Sequence, residues 1–387
     1  MGTCDRTQQK FCGSFWKGRR FMSNSKAPLE KRVERLRHAM EQSGCDCVLL
    51  MVLEGLGWQN CYYFSGFRGS SAAVFITKDE TLLVTDERYR LQASAQSPFD
   101  IVMQGNRPLY MTVKEMIEER DPGRVGLDGD RLPVSMYRKI AAGWDLEDFS
   151  SVFASLRRKK DSFEKANILE AARISRKALD KVINEMPKPV REIDISAALE
   201  YSMKTMGADG GWQDHEFVVA SGQRSALPHG RAGWREIASG EWATVDFGAR
   251  FSGYVCDVTR NLLFGEIKGE WLKKQEVLLE AQEAAAAAIG PGVRAADIDA
   301  VARNVIERYG FGENFTHGLG HGIGLEIHEA PHLSPRSEDV LQEGDVITLE
   351  PGIYFDGEGG MRVEDDYLVT AEGSECLTAL IPKALTM

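Results

Sequence analysis

The fold is decided by two stretches that are near copies of each other, GEWATVDFG at Gly240–Gly248 and GDVITLEPG at Gly344–Gly352. Each begins with a glycine and an acid, continues as a short apolar run, and ends with a carboxylate, one further residue and a glycine. Apolar runs of this length between turn residues predict strands that enter a core. The second copy follows the first by 104 residues, so the same strand and turn are predicted twice.

A second pair of segments repeats at nearly the same offset. Val190-Arg191 and Asp194-Ile195 reappear 103 residues later as Val293-Arg294 and Asp297-Ile298. Two echoes with almost equal offsets indicate an internal duplication. We therefore predict two related α/β halves packed around a pseudo-twofold axis, each delivering the same kind of ligand to a shared centre.

The sequence before this duplication predicts a separate α/β domain over residues 25–155, because short apolar runs alternate there with amphipathic stretches. The basic run Arg157–Lys160 lies in a predicted linker, residues 156–161, with solvated side chains. A long helix is expected from Ser162 to about Met186, opening a domain that runs to residue 387. Residues 1–24 are polar and unpatterned and are expected to be a disordered or spurious extension, with Met22 as an alternative start to Met1.

Composition narrows the class of protein. The 387 residues suit two domains, and 43% hydrophobic with 27% charged residues is typical of a globular protein in water. A net charge of -11 predicts neither nucleic acid nor an anionic membrane as partner. The seven cysteines are an odd number without C-x-x-C spacing, and no apolar run is long enough for a signal peptide or membrane helix. We expect a cytoplasmic protein.

Four acids at the repeated strands need an explanation. Asp246 and Glu350 end the two strands, and Asp257 and Glu364 are predicted on the strands that return. Uncompensated carboxylates on buried strands would cost several kcal/mol each. Acids that cap turns are one interpretation. Because the same arrangement occurs twice, a pair of divalent cations bound by oxygen ligands is favoured.

Histidines add nitrogen ligands near these acids. His317, His321 and His328 fall within twelve residues rich in glycine, and His229 is framed by a proline and a glycine. Glycines let backbone and ligand approach closely, but the residues alone do not choose which histidine binds a cation. His38 is expected on a helix surface.

Two other motifs are decoys. His328–His332 matches the H-E-x-x-H pattern of zinc peptidases, which requires a continuous helix. Pro331 disfavours that helix, so we reject this interpretation. Cys256, beside Asp257, is expected to be a buried structural cysteine rather than a nucleophile.

Together these motifs resemble the pita-bread metallopeptidases, in the proline-specific branch that contains Xaa-Pro dipeptidase (prolidase) and aminopeptidase P. The resemblance rests on segments spread over the second domain: Val219–Gly222, Leu227–Gly230, Val245–Gly248, Cys256–Arg260, His317–Gly324, His328–Pro331, Leu349–Tyr354 and Gly360–Asp365. Tyr63–Phe67 and Val84–Tyr89 resemble the creatinase-type N-terminal domain. The implied fold is α/β (α+β), with a creatinase-like domain followed by a pita-bread catalytic domain. Methionine aminopeptidases lack the first domain, and creatinase lacks the metal carboxylates.

Carried over residue by residue, the resemblance implies five metal ligands. Asp246 would bind one ion, His321 and Glu350 the other, and Asp257 and Glu364 would bridge the two. Oxygen-dominated ligation with one imidazole suits Mn(II), with Co, Fe or Zn as alternatives.

The resemblance also implies roles around the ions. Glu350 would shuttle a proton as general base and acid. His229 and His328 would contact the substrate and the tetrahedral intermediate, and His317 would line the proline pocket. Arg362 would hold a carboxylate ligand in place without itself binding a metal ion.

The expected function is hydrolysis of the Xaa-Pro bond at the N-terminus of short peptides by a dinuclear-metal Xaa-Pro dipeptidase, as a homodimer. Xaa-Pro aminopeptidase acting on longer peptides is the close alternative, because Gly66–Ser70 looks nearer to that subfamily while Gly322–Glu329 looks nearer to prolidases. A catalytically inactive peptide-binding module is the remote alternative, since such proteins lose ligands and all five are present. His215 stands where the family often has an aromatic residue, which leaves the rim of the pocket open.

Overall fold

A computed structural model describes residues 26–141, 144–213, 215–383 and 385–387. These residues form two compact units, the first ending at Leu156 and the second starting at Arg157. The predicted extension, residues 1–24, lies outside the described residues. Among the described residues, no helix has both the length and the apolarity needed to cross a membrane.

The first unit is a six-stranded mixed sheet with helices against it. Its strands, in sheet order β4-β3-β2-β1-β5-β6, are β1 Cys47–Leu53, β2 Ser71–Thr77, β3 Thr81–Thr85, β4 Asp100–Met103, β5 Arg124–Leu127 and β6 Asp145–Asp148. Its helices are α1 Lys26–Ser43, α2 Trp58–Ser65, α3 Arg90–Gln96, α4 Leu109–Arg120, α5 Val134–Ile140 and α6 Ser150–Arg158. Strand β1 is buried except at its last residue, which is typical of a central strand covered on both faces.

The second unit repeats one motif, as predicted. Its helices are α7 Ser162–Glu185, α8 Glu192–Thr205, α9 Gly269–Ala287 and α10 Ala295–Arg308. Its strands are β7 Val218–Ser221, β8 Glu241–Phe247, β9 Arg250–Phe251, β10 Tyr254–Val255, β11 Val258–Phe264, β12 Gly320–Gly322, β13 Glu329–Leu333, β14 Val346–Leu349, β15 Gly352–Phe355, β16 Gly359–Arg362, β17 Asp365–Thr370, β18 Gly373–Cys376 and β19 Leu385–Thr386.

Sheet topology shows the duplication directly. In the first half β8 lies between β7 and β11, and in the second half β14 lies between β12 and β17, with antiparallel pairing throughout. A two-stranded hairpin, β9–β10 or β15–β16, is inserted between the second and third strands of each half. This confirms the predicted fold class of two related halves.

The long helix predicted from Ser162 is confirmed as α7 Ser162–Glu185. Strands also alternate with helices in the first unit, as predicted. The pattern did not predict α2, whose residues were noted only as part of a motif, or β6, which is short and has an exposed residue at each end.

The expectation that Arg157–Lys160 is a solvated linker is wrong. Helix α6 continues to Arg158, and the side chains of Arg157 and Lys160 are 6% and 1% exposed. Both contact the buried carboxylate of Glu329, with Lys160 Nζ at 3.1 Å. Burial raises the pKa of the Glu329 carboxyl, but the positive charges of Arg157 and Lys160 have the larger effect and lower this pKa to about 2. A paired buried charge of this kind costs far less than an unpaired one.

Candidate metal centre

Strand ends bring the four predicted acids together in the second unit. Asp246 is the penultimate residue of β8 and pairs across the ladder with Thr259 of β11. Asp257 directly precedes β11, Glu350 directly follows β14, and Glu364 lies between β16 and β17. The acids predicted on return strands therefore lie at strand ends, where the ladder leaves room for side chains to converge.

Three buried side chains form the centre of this group. Ligand atoms of Asp257, His321 and Glu364 lie within 4.8 Å of one another. His321 Nε2 is 3.8 Å from Asp257 Oδ2 and 3.5 Å from Glu350 Oε1. These separations exceed a hydrogen bond and suit atoms that share a cation.

The ring of His321 is oriented for ligation. Its Nδ1 lies 3.1 Å from the carbonyl oxygen of Gly322, which can only accept, so Nδ1 carries the proton. Burial and the nearby His328 lower the pKa of His321 to about 3, which keeps the ring neutral. Its Nε2 lone pair therefore faces the acids, as in histidines that bind metals.

Two buried carboxylate oxygens of the four acids make no hydrogen bond within the part of the chain that the structure describes. Within the described residues, Asp246 Oδ1 and Asp257 Oδ1 have no hydrogen-bond partner. Buried polar atoms without partners are rare in native structures and call for a ligand. The donor set, four carboxylates and a neutral imidazole, fits divalent cations that prefer oxygen.

The acids also repel one another strongly. Burial raises the pKa of Asp257 well above its usual range, and the charges of Glu364 and Asp246 raise it further. Burial likewise raises the pKa of Glu364, followed by the charges of Glu350 and Asp246. Burial raises the pKa of Glu350 to about 8 against the opposing effect of Arg362. Without a cation, these groups favour the protonated state.

Arg362 organises the outer side of the centre. Its Nη2 donates to Asp246 Oδ2 at 2.8 Å, and its Nη1 donates to the hydroxyl of Tyr354 at 2.9 Å and to the carbonyl of Pro228 at 3.2 Å. Its Nε donates to Thr259 Oγ1, which in turn donates to Glu364 Oε2 at 2.7 Å. One guanidinium thus orients two of the acids, one directly and one through a hydroxyl.

The arginine network continues to His317. Nδ1 of His317 lies 2.8 Å from the carbonyl of Gly318, so it carries the proton, and Nε2 accepts from Tyr354 at 3.1 Å. Burial and the charge of Arg362 lower the pKa of His317 to about 4. The neutral ring also packs edge-on against Phe315, with centroids 5.1 Å apart. His317 therefore presents an uncharged wall.

The remaining predicted histidines lie around the same group. The ring of His328 is 4.4 Å from that of His321 and 5.4 Å from that of His215, and burial followed by the charge of His215 lowers its pKa. His229 is exposed, on the loop after Pro228, and its charge contributes to lowering the pKa of His317.

The H-E-x-x-H match has no helix, so its rejection is confirmed. Glu329–Leu333 is a strand, in which His332 is exposed and pairs with His321 across the ladder. Glu329 is buried instead. Its carboxylate accepts from the backbone N–H groups of Leu325 and Glu326 and from the side chains of Arg157 and Lys160. Cys256 is also buried, as expected, and burial raises its pKa well above the usual range.

Sequence reasoning missed three residues of this region: Thr259, Tyr354 and Asp366. Asp366 is fully buried and accepts the backbone N–H of Asp257 at 3.0 Å. Thr259 and Tyr354 stand inside motifs that were quoted for the resemblance, but nothing in the pattern marked their hydroxyls as links between Arg362 and its neighbours.

Comparison with known proteins agrees with this geometry. Residues 166–371 match the model of metallopeptidase family M24, and residues 32–159 match the creatinase/prolidase N-terminal domain. The Xaa-Pro dipeptidase of Pyrococcus furiosus is 35% identical over 354 residues, covering 90% of this chain and 98% of its own.

Solved structures are similar over the same length. The Xaa-Pro dipeptidase from Bacillus anthracis has a TM-score of 0.86 and 37% identity, covering 93% of this chain and all of its own. The X-Pro aminopeptidase from Thermotoga maritima has a TM-score of 0.86 and 35% identity, covering 92% of this chain and all of its own.

A two-part chain with a duplicated pita-bread unit and a cluster of buried acids is a metallopeptidase that uses divalent metal ions. The chain belongs to metallopeptidase family M24 and carries the creatinase/prolidase N-terminal domain.

We predict that stabilisation by Mn(II) grows with pH. A carboxyl whose folded pKa is raised favours the folded state while protonated, and this contribution is lost as pH rises through that pKa, between 4.5 and about 8 for Glu350. A cation relieves the repulsion, so its effect is largest where the acids are ionised. The difference between the melting temperatures with and without Mn(II) should be larger at about pH 7.5 than at about pH 5.5. Each kcal/mol of additional stabilisation by Mn(II) should raise the melting temperature by about 2–4 °C.

Asp257→Asn is the matched variant for this measurement, because it removes one buried charge from the group. It should reduce the difference in melting temperature at the higher pH. An Mn(II) effect that is equal at both pH values, or larger at the lower one, contradicts the prediction.

Proposed function

We propose that this metallopeptidase cleaves Xaa-Pro dipeptides at a centre of two divalent ions, with Mn(II) as the native metal. Asp246 would bind one ion, His321 and Glu350 the other, and Asp257 and Glu364 both. The observation that carries this proposal is the convergence of buried acids from both halves on a neutral His321 Nε2, within 3.8 Å of Asp257 and 3.5 Å of Glu350. Relatives named Xaa-Pro dipeptidase that match over nine-tenths of the chain support the substrate.

Divalent ions at this centre would lower the pKa of a water molecule and stabilise negative charge on the scissile carbonyl oxygen. Glu350 is suited to move the proton, because its carboxylate lies 3.5 Å from His321 Nε2 and is 19% exposed, so that it can reach a water molecule at the centre. It would accept a proton from water and deliver it to the departing proline nitrogen. Arg362 orients Asp246 by donating to Asp246 Oδ2, which leaves Asp246 Oδ1 for a ligand.

The surrounding histidines would bind the peptide. The neutral ring of His317 with Phe315 and Tyr354 offers an aromatic wall of the kind that suits a proline ring. His328 and His229 are both exposed, so both could contact the peptide. The cytoplasmic location and the homodimer stay predictions.

Cleavage of longer peptides is the second candidate function. The X-Pro aminopeptidase from Thermotoga maritima is as similar in structure as the dipeptidase from Bacillus anthracis. The two activities differ in whether the proline carboxylate is bound or the chain continues past it. The metal centre and the proton transfer by Glu350 would be the same in both.

We predict that Glu350→Gln lowers kcat by about 10²- to 10⁴-fold, because the amide cannot take up the proton. His332→Ala should change kcat less than about 2-fold, since His332 is exposed on a strand. Steady-state hydrolysis of an Xaa-Pro dipeptide with added Mn(II) measures both. Full activity of Glu350→Gln, or loss of metal binding in His332→Ala, would reverse these assignments.

We further predict that kcat/KM for an Xaa-Pro dipeptide exceeds that for the same peptide extended by one residue by about 10-fold or more. A site built to pair with the proline carboxylate leaves buried polar groups unpaired when that carboxylate is missing. The two substrates should be compared on one Mn(II)-loaded preparation. Equal or faster cleavage of the extended peptide identifies the aminopeptidase instead.

A further inference from the structure

Gln282 is a buried polar side chain to which the proposed chemistry assigns no role. It lies on α9 and is 0% exposed, on a helix face whose neighbours Leu278, Ala281 and Ala285 are all apolar. Burying an amide is unfavourable unless it makes hydrogen bonds. Its contacts therefore indicate what it does.

The amide of Gln282 joins the backbone at two of the acids. Its Nε2 donates to the carbonyl of Leu349 at 2.9 Å and lies 3.4 Å from the carbonyl of Val363. Leu349 directly precedes Glu350, and Val363 directly precedes Glu364. The positions of these carbonyls set where the backbone enters each acidic residue.

Lys383 fixes which way the amide points. Its ammonium donates to Gln282 Oε1 and also lies 3.4 Å from Asp365 Oδ2. Because an ammonium can only donate and a carbonyl can only accept, the amide oxygen must face Lys383 and the nitrogen must face the two backbone carbonyls.

We infer that Gln282 is a positioning residue for the metal centre: by bonding the carbonyls that precede Glu350 and Glu364, it sets the separation of these two carboxylates. This inference rests on the proposed assignment of both acids as metal ligands. Residues that orient ligands without touching the metal typically contribute about 10- to 100-fold in metal affinity.

The test is Gln282→Met, which keeps the length of the side chain and removes its donors. Isothermal titration with Mn(II) should show at least about 10-fold weaker binding, and electron paramagnetic resonance should show altered coupling between the ions. A fall in kcat with little change in KM should accompany this. Leu278→Ala is the control, because it also removes buried contacts from α9 without touching the backbone of an acid, and its Mn(II) affinity should stay near that of the wild type.

Lys383→Met is a second variant that tests the orientation of the amide if Gln282→Met does not fold. Lys383 is partly exposed, and its loss frees the amide to turn, so Mn(II) affinity should again fall. Wild-type affinity and coupling in either folded variant, or an equal loss in Leu278→Ala, overturns the inference. Failure of the wild-type protein to bind Mn(II) or to cleave Xaa-Pro dipeptides would instead count against the proposed function.

Discussion

Mutual repulsion among buried carboxylates is the constraint on which the second unit depends. Asp257 and Glu364 are buried and close together. Burial raises the pKa of both, and neighbouring charges raise it further: those of Glu364 and Asp246 for Asp257, and those of Glu350 and Asp246 for Glu364. Hydrogen bonds and Arg362 compensate the negative charges of the four acids only in part. Within the described residues, Asp246 Oδ1 and Asp257 Oδ1 still have no hydrogen-bond partner. Divalent cations bound to these acids would resolve this conflict, and folding, metal binding and catalysis would then be linked through the same atoms.

Duplication explains how one chain builds such a centre. Each half places an acid at the end of its middle strand and another at the start of the third, and antiparallel pairing brings both sets to one place. The halves then diverge in what they add. The second half contributes His321, the cationic Arg362 and the aromatic side chains around His317. The side chains that would contact the substrate are therefore asymmetric, although the four acids come in equal number from the two halves.

The duplicated fold and the converging acids could be predicted because they repeat locally along the sequence. Strand patterns and turn glycines depend only on neighbouring residues, and the same local pattern occurs again 104 residues later. The burial of Arg157 and Lys160 could not be predicted in this way, since it depends on Glu329, about 170 residues further along. Gln282 is a similar case, because its partners Leu349 and Val363 become neighbours only after folding. A basic run and a lone glutamine carry no local sign of such contacts.

The central claim is that the buried acids hold two cations that share ligands. The most direct measurement is the number of Mn(II) ions bound per folded chain, by equilibrium dialysis with elemental analysis, together with the electron paramagnetic resonance spectrum of the bound ions. We expect two ions with magnetic coupling in the wild-type protein, and loss of that coupling in Glu364→Gln. A folded wild-type protein that binds no ion, or binds isolated ions whose spectrum is unchanged in Glu364→Gln, would contradict the central claim.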